Sequence, residues 1–314
     1  MEILIAGGAG FIGSNLTEFH LNRKDEVTII DNLITGNNKN IESFVNKNLV
    51  KFIKADIVDY DYDELPTFDI VYHLASPASP IQYKKYPQET LITNSFGTKK
   101  LLDFFVKSHS GSFVISSTSE VYGDPLVHPQ PETYWGNVNP VGIRSCYDEA
   151  KRFAEALVMV YFRKYKINLR VARIFNTYGP NMEKNDGRVV SNFIIQALSN
   201  HPITIYGDGN QTRSFCYVSD MVKGLYGLAS RKNLAGEIIN LGNPVEKSIK
   251  EMATLIKELT GSDSPIVFEK IDQDDPKKRK PDINKAQKKL GWNPEIPLTE
   301  GLKKTISYFK ERFL

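Results

Sequence analysis

The chain has 314 residues, 41% of them hydrophobic and 25% charged, with a formal net charge of +3. That length buries a large core, as one domain or two closely joined ones, and the composition is that of an ordinary globular protein. The charge is too even to argue for nucleic acid. Cys146 and Cys216 lack disulfide or metal spacing, and no apolar run suits a signal peptide or membrane helix, so a reduced, cytoplasmic setting is expected, with no metal.

Glu2-Ile3-Leu4-Ile5-Ala6 predicts a short buried strand. Gly7-Gly8-Ala9-Gly10-Phe11-Ile12-Gly13 follows at once, then a helix to about Asn22. Glycines at 7, 10 and 13 allow a tight turn, close approach of backbone to a pyrophosphate, and close packing of helix on strand. The helix N-terminus offers free N–H groups to phosphate. A second apolar run, Val27 to Ile30, ends in Asp31, about 20 residues past the glycines. An acidic side chain there binds ribose hydroxyls and repels a 2′-phosphate, so NAD is favoured over NADP. A glycine turn with an unrelated Asp is the plainer alternative.

Strand-like runs recur at 50–56 and 69–75, the latter leading into Ser76-Pro77-Ala78-Ser79-Pro80. Helical patterning covers 90–107. A fifth strand is centred on Phe113-Val114-Ile115, a helix runs from Tyr147 to about Lys166, and a sixth strand from Leu169 to Phe175. This alternation predicts an α/β fold with a doubly wound parallel sheet. Both helical segments keep apolar residues over much of their surface, for core packing or for a second copy of the chain.

Past Phe175 the texture changes. A polar loop, Asn185-Asp186-Gly187-Arg188, precedes a helix from Val189. Ile203-Thr204-Ile205-Tyr206 and Arg213-Ser214-Phe215-Cys216-Tyr217 flank Gly207-Asp208-Gly209-Asn210-Gln211, which predicts paired strands around a turn. A helix near 219–230 and a strand at 237–241 rejoin the first unit. The expected division is therefore 1–175 with about 214–243, and a smaller C-terminal α/β lobe of 176–213 and 244–314. Arg188, Arg213 and Arg279 fall in this later part, and arginine suits bidentate phosphate recognition. The run from Asp274 to Asp282 reads equally as a solvated charged loop.

Tyr147 and Lys151, four residues apart, share one helix face. A free Tyr has a pKa of about 10 and is a poor base. An ammonium at about 4 Å, at an effective dielectric of about 20, favours the phenolate by about 4 kcal/mol. A Tyr tuned in this way exchanges a proton with an alcohol. Thr118, Ser119 and Glu120 follow the Phe113 strand, where open α/β sheets bind ligands. Taken alone, the Tyr–Lys pair reads more simply as an ordinary pair on a helix surface; its weight comes from the rest of the chain.

Together, the strand–GxxGxxG–helix start, Asp31, Thr118 and Tyr147-xxx-Lys151 resemble the extended short-chain dehydrogenase/reductase family, with its Rossmann-type nucleotide domain, over nearly the whole chain. The runs His73 to Pro80, Ser117 to Pro125, Tyr134-Trp135-Gly136, Arg144 to Glu149, Asp186 to Phe193, Asp274-Asp275-Pro276 and Arg279 to Asp282 resemble the UDP-glucuronate decarboxylases within it. The resemblance implies bound NAD and a nucleotide-diphosphate sugar oxidised at C4, in a homodimer or larger homo-oligomer. It implies Thr118, Ser119, Glu120, Tyr147, Lys151 and Arg279 as catalytic residues. It also implies NAD contacts from Gly7, Gly10, Phe11, Ile12, Gly13, Asp31, Asn32, Thr35, Gly36, Asp56, Ile57, Leu74, Ala75, Ser76 and Thr93 as well as Tyr147 and Lys151. Asn176, Arg188, Val190, Asn192, Tyr206, Gln211 and Arg213 would surround the nucleotide sugar. One position departs: many such decarboxylases carry Lys before the Thr93-Asn94 pair, facing the sugar, where this chain has Ile92. Other nucleotide sugars, with dehydrogenase, dehydratase or 4-epimerase chemistry, therefore stay open, as does a non-catalytic NAD-binding sensor.

Overall fold

The computed structural model describes residues 1–270 and 278–313. Asp274 to Lys277, part of the charged run, lie outside the described residues.

Seven strands form one sheet: β1 (Glu2–Ala6), β2 (Glu26–Ile30), β3 (Val50–Ile53), β4 (Ile70–His73), β5 (Ser112–Thr118), β6 (Leu169–Ile174) and β7 (Ile238–Leu241), in the order β7-β6-β5-β4-β1-β2-β3. Every pairing is parallel. Alternate residues leave opposite faces of a strand, so Ile3 and Ile5 of β1 join one core cluster and Leu4 and Ala6 another. The first cluster takes in Leu16 of helix Phe11–Asn22 and Met221 and Leu225 of helix Val218–Ser230. The second takes in Leu101 and Phe105 of helix Thr98–Ser108 and Ala154 and Val158 of helix Ser145–Tyr165. Helices thus cover both faces, which is why these strands read as continuous apolar runs. The chain reverses direction across the sheet between β1 and β4, and a crevice opens there at the carboxyl ends of the strands.

Two elements differ from the sequence reading. The segment 90–107 is not one regular helix. Helix Pro87–Ile92 passes through a π-helical turn, Thr93–Gly97, before Thr98–Ser108. The turn swings Asn94 inward, where its amide donates to Ser76 Oγ at 2.8 Å and to Thr90 O at 2.8 Å. Nor do the strands around Gly207 to Gln211 pair with each other. Ile203–Tyr206 pairs in parallel with Ile266–Glu269, and Thr212–Ser214 lies between Glu246–Ser248 and Lys278–Arg279. Gly207 and Gly209 take positive φ, and the Gly209 and Gln211 carbonyls accept N–H groups from Lys250 and Ile249. The turn is tied to helix Ile249–Thr260 rather than closing a hairpin, so its two arms diverge. Phe193, Met252, Ile256 and Phe309 of the later helices belong to the same cluster as Ile3 and Ile5, so among the described residues the later helices share a core with the sheet.

Candidate active site

The crevice is a cleft of about 530 Å³ that continues into a side pocket of about 60 Å³ under β2 and β3. Its floor is the turn after β1. Gly7 has φ +84, and a Cβ there would stand 2.6 Å from the Ala75 nitrogen; one on Gly13 would stand 2.1 Å from the Gly7 oxygen. Only glycine lets the turn, the helix and the end of β4 approach so closely. No side chain caps helix Phe11–Asn22 at Gly10, which leaves its first-turn N–H groups facing the cleft. At the end of β2, Asp31 accepts N–H bonds from Ala9 at 3.0 Å and Leu33 at 2.8 Å. Burial pushes its carboxyl up despite those bonds. Asp56 is fixed by Asn32 Nδ2 at 2.7 Å and Val58 N at 2.9 Å. Asp31, Asn32, Gly36, Asp56, Ile57, Ala75 and Thr93 line the side pocket; Phe11, Ile12 and Gly13 line the main cleft; Gly7, Gly10, Thr35, Leu74 and Ser76 line both.

The wall above is built by β5 and helix Ser145–Tyr165. Tyr147, Lys151, Thr118, Ser119, Glu120 and Arg279 all line the main cleft, as do Asn176, Arg188, Val190, Asn192, Tyr206, Gln211 and Arg213. The tuning of Tyr147 differs from the sequence reading. Burial pushes its phenol well up, opposed by a hydrogen bond with Thr118, and Lys151 is not what governs it. Burial also lowers Lys151 to about 7, against the pull of Glu155. The Lys151 Nζ donates to Ser116 O at 2.8 Å and stands 5.8 Å from the Tyr147 ring centre. In a dry wall the loss of hydration outweighs one ammonium at that distance. Tyr83 stacks parallel to Tyr147, at 5.1 Å between ring centres and 6° between planes.

Glu120 lies in the turn Ser119–Tyr122 and is gripped by two arginines, Arg144 Nη2 and Arg279 Nη1. Desolvation would raise its carboxyl, but the two guanidiniums outweigh it and hold it at about 2. Arg279 is 2% exposed, donates Nη2 to the Gly123 carbonyl at 2.7 Å, and leaves Nε without a partner among the described residues. A solvated charged loop is therefore excluded for this residue. Ile92, by contrast, is 43% exposed and lines neither pocket. The π turn that follows it takes the next residues inward and leaves Ile92 outside.

The model of the GDP-mannose 4,6 dehydratase family matches residues 4–305. The chain belongs to that family. A Xenopus tropicalis relative, UDP-glucuronic acid decarboxylase 1, is 52% identical over 99% of this chain and 72% of its own length. An Arabidopsis thaliana relative of the same description is 49% identical over 100% and 71%. Among solved structures, UDP-glucuronic acid 4-epimerase from Bacillus cereus, in complex with UDP-glucuronic acid and NAD, superposes with a TM-score of 0.90 at 30% identity over 100% of both chains. A dTDP-glucose 4,6-dehydratase from Streptomyces venezuelae with NAD bound gives 0.91 at 26% over 99% and 98%. This family member is an NAD-dependent enzyme that modifies nucleotide sugars. No helix among its described residues is long and apolar enough to cross a membrane.

The residues at the floor fit NAD: the glycine cradle would be filled by any Cβ, the helix end is uncapped, and a fixed carboxylate stands at the end of β2. The sequence reading did not single out Tyr83, Lys84 or Arg144 as lining groups. Tyr83 and Lys84 directly follow the Ser76 to Pro80 loop, and Arg144 stands three residues before Tyr147. Position alone hinted at them, because nothing local announces a partner 24 residues away, as Glu120 is for Arg144.

Proposed function

We propose that this enzyme is a UDP-glucuronate decarboxylase that forms UDP-xylose. The observation that carries the reading is Glu120 held by two guanidiniums beside Thr118 and Tyr147. One carboxylate against two arginines leaves positive charge over, and a substrate carboxylate fits that excess. The relatives named as UDP-glucuronic acid decarboxylases supply the substrate.

In this reading the chain's residues divide the work. Gly7, Gly10 and Gly13 with the helix end receive the cofactor's pyrophosphate, Asp31 its ribose, and Asn32 and Asp56 the adenine side. Arg188, Arg213, Gln211, Tyr206, Asn176, Val190 and Asn192 surround the nucleotide diphosphate. Tyr147 takes the proton from the C4 hydroxyl and Thr118 holds the same oxygen. Bound NAD supplies a hydride acceptor that later returns the hydride. The ketone at C4 lies β to the carboxylate, so CO2 leaves and an enolate remains, which the surrounding donors stabilise. Lys151 anchors the Tyr147 side of the cleft, and Ser119 and Arg279 position the acid group.

Incubation with UDP-glucuronate, read by mass, gives a product lighter by one CO2. Tyr147→Phe lowers turnover by about 10²–10⁴-fold, while the nucleotide released on denaturation is still NAD. A substrate returned unchanged would sink the reading. The full-length likeness to UDP-glucuronic acid 4-epimerase favours one alternative, which predicts a product of unchanged mass. We also read the exposed apolar residues Leu91, Phe96, Phe153 and Val160, on neighbouring helical segments, as contact with a second copy. Sedimentation at the mass of one chain would refute this.

A further inference from the structure

Glu120, Arg144 and Arg279 do not only face the main cleft. They also wall a second cavity of about 210 Å³, completed by Gly123, Asp124, Asn137, Val138, Asn139 and Asp148. Its rim, Asp124, Asn137 and Asn139, is exposed, while Asp148 is buried with 6% exposure. One water needs only about 10–15 Å³ of such space, so the cavity admits several. Asp148 Oδ1 is buried without a hydrogen-bond partner among the described residues, and Oδ2 stands 4.0 Å from Arg144 Nε.

Decarboxylation, the reading on which this inference rests, has a proton balance that such a chamber answers. The carboxylate leaves as neutral CO2, and its bonding pair stays on the sugar as an enolate. C5 must then gain a proton. The proton that Tyr147 takes from the C4 hydroxyl returns to the same oxygen when the hydride comes back. One further proton therefore enters from solvent in each turnover.

We propose that the side cavity is the proton inlet of this reaction and that Asp148 relays the proton from its exposed rim toward Glu120, the carboxylate that lines both cavities. Asp148 gives its proton to water that the ionised Glu120 holds where the two cavities meet, that water passes a proton to C5, and the Asp148 carboxylate is reprotonated from the rim. Asp148 does not line the main cleft, so it acts through water and Glu120 as a positioning and relay residue. The groups that face it are Glu120 from the turn after β5, Arg144 at the start of its own helix, Glu149 next to it on that helix, and Arg279 from the C-terminal strand. Asp124 from the rim, the Tyr83 phenol, and Tyr147 and Cys146 from its own helix also face it. Burial and the negative Glu120 raise the Asp148 carboxyl to about 7, a value at which it both holds and releases a proton near neutrality.

The test separates C4 oxidation from proton delivery in the purified full chain with NAD bound. With UDP-glucuronate, Asp148→Asn forms reduced nicotinamide at the parent's rate but makes UDP-xylose at least tenfold more slowly, so the reduced cofactor accumulates. The parent's kcat falls as pH rises through about 7. That limb is absent in Asp148→Asn, and Asp148→Glu restores part of the rate. Val138→Trp, which plugs the chamber and leaves Asp148 in place, gives the same accumulation and covers the case of a misfolded Asn variant. Parent-like kcat and pH profile in Asp148→Asn or Val138→Trp overturns the inlet. Equal slowing of both steps also overturns it, because that marks a merely structural role. If the parent itself releases no CO2, the decarboxylase reading fails and the inlet fails with it; if the parent does and the variants match it, the inlet alone fails.

Discussion

Two carboxylates, the buried Glu155 and the half-buried Glu120, are both held by arginine, and they behave differently because of how many arginines each meets. Glu155 has one. Arg173 reaches it with Nε at 2.9 Å and Nη2 at 2.8 Å, and Ser117 adds a bond at 2.5 Å. Arg173 continues to Tyr122 OH at 2.9 Å, and Tyr122 to Asn240 at 2.8 Å, which ties β5, β6 and β7 behind the site. Charge there is matched one to one. Glu120 has two, Arg144 and Arg279, at similar burial: its side chain is 15% exposed against 11% for Glu155. The first arrangement is neutral and braces the sheet; the second keeps a positive excess facing a cleft. A matched buried pair holds structure, and an unmatched one is a place for an anion.

The comparison is breakable. Its largest expected effect is on stability: Arg173→Met leaves Glu155 buried without a cation and lowers unfolding stability by about 3–5 kcal/mol, read from urea midpoints. Arg279→Met should be milder in the same assay, because Glu120 keeps Arg144. The reverse ranking would break the comparison. The same Arg279→Met variant should instead lose transition-state binding worth about 2–5 kcal/mol, which is about 30- to several-thousand-fold in kcat/KM with UDP-glucuronate.

A smaller effect follows from the excess charge and its neighbour. Asp148 has an ordinary value of 3.8 and is raised to about 7 in the fold. Between those values the native state holds a proton that the unfolded chain releases, so this residue's contribution to stability falls as pH rises through that window. Asp148→Asn has no proton to lose. It should gain on the parent as pH rises from 4 to 7, with the gain complete above 7 and absent below 3.8, in urea midpoints at several pH values. A difference independent of pH would show that Asp148 is not protonated in the fold. The smallest expected effect is at Ile92, on the outer surface. Ile92→Lys should change stability by no more than about 0.5 kcal/mol and leave UDP-glucuronate turnover within a few-fold. A large gain would restore this position to the sugar site.

Much of the cleft floor was legible in the sequence alone. Glycine spacing, a strand before it and an acidic residue after the next strand are local signals, each with its own mechanism. The same holds for Tyr147 and Lys151, because a four-residue step on a helix fixes a common face. The hairpin expected around Gly207 was not legible: a turn sequence says that the chain bends, but not which strands its arms will meet. Ile203–Tyr206 found its partner in Ile266–Glu269, some sixty residues on.

By itself, then, the sequence determined the alternation of strand and helix, the parallel sheet and the glycine cradle, all set by steric and periodic rules over a few residues. Only the tertiary structure decided the protonation of Lys151 and Tyr147, because burial depends on everything packed around a group. It alone brought Arg279 across 159 residues to Glu120, and it alone left Ile92 outside the cleft. It also placed Asp148 behind the arginines, beside a cavity that no spacing in the chain announces. Charge excess and dryness are sums over neighbours, and the neighbours are chosen by the fold.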